Sequence, residues 1–107
     1  MHGTYLRFYM HENRRHHGIL LYEWLLERAK NAGFKGGSAF RAIAGFGRHG
    51  VLHEQHFFEL AGDLTVEVEF LLAKEQADEL LRLVQNEGVR IVYAMTAAEI
   101  GMTEGKD

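Results

Sequence analysis

The residues best able to do chemistry in this sequence are gathered in one stretch, AGFGRHGVLHEQH at 44–56. There Gly45 and Gly47 flank Phe46 and are followed by Arg48, His49, His53 and His56. Spacing alone leaves three readings open. Glycines let backbone N–H groups close around an anion, and Arg48 with Lys35 would add positive charge. His49, His53 and His56 offer imidazole, a ligand suited to transition metals, although the nearby acid Glu54 would point away in an extended segment. A polar loop joining two strands uses the same residues, since a G-x-G pair also serves hairpin ends and bulges.

Other chemistries find less support. There is no cysteine, which excludes disulfides, thiolate metal sites and a cysteine nucleophile. Ser38 is the only serine, and no nucleophile elbow surrounds it. Glu67 and Glu69 lie two apart on one strand face and suit the neutralisation of Arg7 and Arg41. Acid–base catalysis instead wants two groups across a cleft with separated pKa values. The run Arg14-Arg15-His16-His17 reads as a solvated basic loop, and Tyr22 and Trp24 as packing residues. No enzyme is expected.

With 12 Lys and Arg against 15 Asp and Glu, the net charge is −3, opposite to the basic excess of a nucleic-acid-binding surface. No run approaches the ~20 apolar residues of a membrane span, and residues 1–10 alternate rather than form a leader's apolar core. A cytoplasmic protein without nucleic acid or membrane insertion is the expectation.

The elements that must position these residues follow from periodicity. TYLRFYM (4–10) alternates, with Leu6, Phe8 and Met10 on one face and Tyr5, Arg7 and Tyr9 on the other, as in a half-buried strand. GILLYEWLLERAKNAG (18–33) shifts to helical spacing through Leu21, Leu25, Ala29 and Ala32, and Gly33 is placed to end it. GGSAFRAIAGFG (36–47) reads as a second strand with Ala39, Arg41 and Ile43 on one face. FFEL (57–60) looks like a returning edge. LTVEVEFLL (64–72) is the clearest strand, a helix spans about 74–87 with Asp78 and Arg82 paired and Gly88 as its stop, and VRIVYAMTA (89–97) is the last strand. The order βαββαβ predicts an α+β, ferredoxin-like sandwich: a four-stranded antiparallel sheet with two helices on one face. Residues 1–98 form one domain and 99–107 a loose tail.

The helix-free face of that sheet is expected to carry Tyr5, Arg7, Tyr9, Arg41, Ile43, Glu67 and Glu69, with Thr65 and Leu71. Aromatic area mixed with balanced charge is the composition of an interface, so identical subunits are expected to pack through it.

KGGSAFRAIAGFGRHG (35–50) resembles the second strand and loop entry of the PII nitrogen-regulatory signalling proteins, above all at Gly45-Phe46-Gly47-Arg48. The chain is more similar still to the PII-like family catalogued as domain of unknown function 190. It shares a Glu after strand 1 (Glu12), Leu21-Tyr22-Glu23 opening helix 1, the Arg-x-Ile-x-Gly-Phe-Gly run from Arg41 to Gly47, His53, and Asp63-Leu64 before strand 3. The resemblance implies a homotrimer with ligand clefts between subunits, a small anionic effector that could be a nucleotide, and a protein partner such as a membrane transporter or channel. It implies binding by Gly45, Phe46, Gly47, Arg48 and His49, with Gly88 and Arg90 from the stretch that replaces the PII phosphate loop. Ala39 and Val66 stand where PII proteins have a Thr and a Lys, and Asn86-Glu87-Gly88-Val89-Arg90 is shorter than that phosphate loop. No cofactor is specified, and a divalent-metal-binding trimer using His49, His53 and His56 is the alternative.

Overall fold

The computed structural model describes residues 1–45 and 64–106. In chain order they form β1 (His2–His11), β2 (Arg15–His16), β3 (Ile19–Leu20), α1 (Leu21–Asn31), β4 (Ser38–Arg41), β5 (Thr65–Leu72), α2 (Lys74–Asn86) and β6 (Val92–Glu99). The main sheet is antiparallel in the order β4-β5-β1-β6, and β2 pairs with β3 as a separate hairpin.

Alternation decides which side is core. Leu6, Phe8 and Met10 of β1 and Val66, Val68, Phe70 and Leu72 of β5 are buried beneath Leu21, Trp24, Leu25 and Ala29 of α1 and Ala77, Leu80 and Val84 of α2. Removing one such Leu or Phe side chain from water contributes about 1.5–3 kcal/mol. Phe8 and Phe70 meet edge to face with centroids 6.2 Å apart, the geometry favoured by the ring quadrupole. Both helices therefore cover one face of the four-stranded sheet. The ferredoxin-like architecture is as expected.

Both helix-ending glycines have positive φ, 96° at Gly33 and 77° at Gly88. Helix α1 nevertheless begins at Leu21, because the preceding residues form the β2–β3 hairpin, and Ala32 ends exposed at its C-cap. At the start of α2, the Ala73 N–H donates to Gln76 Oε1 at 3.0 Å. Asp78 is engaged by Lys74 Nζ at 2.9 Å, one turn earlier, rather than by Arg82. Strand β6 continues to Glu99, and the Ile100 N–H donates to the Met1 carbonyl at 2.8 Å. Residues 101–106 carry no regular structure and are exposed. The expected edge FFEL lies outside the described residues.

The phase of β4 differs from the expectation. Phe40 stands opposite Glu67 and Arg41 opposite Val66. Opposed residues share a face, so Ser38 and Phe40 join the open side while Arg41 turns to the helix side. Ile43 lies beyond the strand and is almost wholly exposed. A slip of one residue inverts every side chain of a strand, and β4 has too few large apolar residues to fix its phase from sequence.

Candidate functional site

The open face is built from β4, β5, β1 and β6. Register places Tyr5 opposite Leu71, Arg7 opposite Glu69 and Tyr9 opposite Glu67. The Tyr5 hydroxyl donates to Glu69 Oε1 at 2.6 Å, and the Arg7 guanidinium lies 3.9 Å from the centre of the Tyr5 ring. Arg7 Nε sits between two carboxylates, 3.7 Å from Glu67 Oε2 and 3.8 Å from Glu69 Oε2. Those separations exceed a hydrogen bond, and the same nitrogen is shielded from solvent without a hydrogen-bond partner. Phe40, Leu71 and Val92 expose about half of their surface around this group.

The two carboxyls do not titrate alike. Glu67 is pushed above the usual carboxylate range by its hydrogen bond to Glu69, by burial and by the negative charge of Glu69. Glu69 is held below it by that same hydrogen bond, by the Tyr5 hydroxyl and by Arg7. Like charges this close favour one shared proton.

A second feature is the end of the sheet where β1 and β4 finish and β5 and β6 begin. The antiparallel pairings His11 with Thr65, Tyr9 with Val92 and Arg41 with Val66 bring the segments 12–18, 42–45 and 87–91 to this end. There Arg41 Nε pairs with Glu12 Oε1 at 2.8 Å, joining two residues that are remote in sequence. The His16 ring stacks edge-on to Trp24 with centroids 4.8 Å apart, and His16 Nε2 meets Glu87 Oε2 at 3.1 Å.

Of the expected ligand-binding residues, Gly45, Gly88 and Arg90 reach this end, with Arg90 exposed. Phe46, Gly47, Arg48 and His49 lie outside the described residues, as do His53 and His56 of the metal reading. Residues 15–17 are not simply a solvated loop: β2 pairs with β3, and His16 is half-buried against Trp24. Sequence reasoning missed His16, His17 and Glu87 as a group. The available sign was His17-Gly18, a dipeptide able to close a two-residue hairpin.

The element order and sheet topology define a ferredoxin-like domain with one open sheet face. The chain belongs to the DUF190 family, described as Uncharacterized ACR, whose model matches residues 3–99. A UPF0166 protein of Aquifex aeolicus is 33% identical over 96 residues, spanning 82% of this chain and 91% of the relative. Among solved structures, CPII, a nitrogen regulatory PII-like protein from Thiomonas intermedia K12 bound to ADP, AMP and bicarbonate, is similar with a TM-score of 0.65 and 16% identity. That match covers 97% of this chain and 98% of that chain. CPII bound to ADP and bicarbonate gives 0.66 and 20%, covering 95% and 91%. At these identities the structural likeness establishes the fold.

Proposed function

We propose that this protein is a non-enzymatic, PII-like cytoplasmic regulator. It assembles as a homotrimer through the open sheet face, binds a small anionic effector of the adenine-nucleotide class in the clefts between subunits, and reports occupancy to a protein partner such as a membrane transporter or channel. The nucleotides and bicarbonate held by CPII support the choice of effector class.

The observation that carries the reading is the position of the anion-binding candidates across the sheet. Gly45 follows β4 at one edge, whereas Gly88 and Arg90 precede β6 at the other. Three inter-strand steps separate those edges, about 14 Å at the usual strand spacing. A phosphate group is too small to meet both within one chain. A neighbouring subunit that brings its β6 edge to this β4 edge would close the gap, and the half-exposed aromatic and charged face supplies contact area for that assembly.

Calorimetric titration of the full chain with ADP, AMP and ATP, with and without bicarbonate, tests the proposal. One nucleotide per chain is expected, weakened about tenfold by Arg90→Ala, the order of 1.4 kcal/mol. A chain that binds none of the three, or that sediments as a monomer at the same concentration, removes the proposal.

A further inference from the structure

We propose that His16, His17 and Glu87 form a binding site for a divalent transition metal of the Zn²⁺ type, contained within a single chain. It lies at the same end of the sheet as the effector candidates Gly88 and Arg90, uses neither of them, and does not involve the loop histidines.

The site originates in a turn. His16 pairs with Ile19, leaving His17 and Gly18 as the two central residues of a hairpin. Their φ values of 53° and 82° are both positive, as a type I′ turn requires. Adjacent residues of a strand point to opposite sides. The left-handed step at His17 cancels that alternation and sets the two imidazoles together, with centroids 4.1 Å apart.

Both rings then address one atom. His16 Nε2 lies 3.1 Å and His17 Nε2 3.4 Å from Glu87 Oε2, and the three ligand atoms lie within 4.8 Å of one another. A tetrahedral ion with bonds of about 2.0–2.1 Å separates its ligands by about 3.3 Å. Two of the three edges already have that length. The third is no longer than 4.8 Å, and adjusting it falls to His17, whose side chain is 72% exposed, because His16 is held against Trp24.

Two imidazoles and one carboxylate suit Zn²⁺, Co²⁺ or Ni²⁺ better than Mg²⁺ or Ca²⁺, which prefer oxygen. Three protein ligands leave a fourth position open to water or a small anion, the pattern of an accessible rather than a closed structural site.

Without metal, the same geometry serves as one His16–Glu87 hydrogen bond and a His17–Glu87 ion pair, so the experiment must tell the two apart. The full-length chain, stripped with a chelator, is titrated with Zn²⁺ in a calorimeter and with Co²⁺ by visible absorption. The expected result is one ion per chain and a Co²⁺ spectrum of low-coordinate type. His17→Asn removes an imidazole while supplying the residue a type I′ turn favours, and Glu87→Gln keeps a hydrogen-bond acceptor but removes the charge. Each is expected to weaken Zn²⁺ binding at least about tenfold, since even residues supporting a ligand cost 10–100-fold. The proposal is overturned if wild type binds no Zn²⁺, if both variants bind as wild type does, or if binding is lost only when His49, His53 and His56 are replaced by alanine.

Discussion

At the scale of single residues, the open face is governed by two carboxyls placed on either side of Arg7. Glu67 has a raised pKa in the folded protein and Glu69 a lowered one, so they contribute to stability with opposite signs. The contribution of Glu67 is fully present below its unfolded pKa and is lost as pH rises through its folded value. That of Glu69 is present above its unfolded pKa and is lost as pH falls through its folded value. Glu67→Gln fixes the first group in a form resembling its protonated state. Its melting temperature relative to wild type is therefore expected to rise as pH is taken from about 4 to about 7, across the ordinary carboxylate range. A difference that stays flat, or falls, over that window contradicts the shared-proton account. The identities of Tyr5, Arg7, Glu67 and Glu69, and their common face, were legible in the period-two pattern of β1 and β5. Their unequal titration was not, because it depends on the hydrogen bond between the two carboxyls and on which of them the Tyr5 hydroxyl reaches.

At the scale of elements, the β2–β3 hairpin determines how the chain enters α1. The Leu21 N–H donates to the Arg14 carbonyl at 2.7 Å, and Arg15 Nη1 donates to the Gly18 carbonyl at 2.9 Å. An added Cβ at Gly18 meets nothing within 4 Å, so the cost of Gly18→Ala lies in the backbone alone. Forcing an L-residue to the observed φ of 82° costs about 1–2 kcal/mol, measurable as a lower denaturant midpoint with an unchanged m-value. An unchanged midpoint would show that the hairpin contributes nothing to the folded state. Helical spacing marked α1 correctly from Leu21 onward. The expected start at Gly18 is three residues too early, since Gly18, Ile19 and Leu20 suit the start of a helix and a short strand almost equally when only neighbours in sequence are considered.

For the whole molecule, the one-sided sheet is the decisive feature. Helices cover one face, while the other leaves Phe40, Leu71 and Val92 about half exposed beside an arginine nitrogen that has no hydrogen bond. If that face joins subunits, Arg7→Glu adds a third carboxylate beside Glu67 and Glu69 and removes the cation that pairs with them. Like charges brought together in an interface cost several kcal/mol. Sedimentation velocity is expected to show dissociation of the variant at concentrations where wild type remains assembled, with its circular dichroism unchanged. Equal sedimentation of the two proteins would place the subunit contact elsewhere.

The chain's own order of residues determined the alternation of β1 and β5, the apolar stripes of both helices, the stops at Gly33 and Gly88, and the family. Each is written in spacings of two to four residues, or in a contiguous motif. Tertiary structure alone decided the phase of β4, the pairing of Glu12 with Arg41, and the meeting of His16 with Glu87 across 71 positions. The physical reason is the same in each case. A weakly patterned strand takes its register from the neighbour it pairs with, and a charged or imidazole side chain takes its partner from whichever segment the sheet topology brings to the same end.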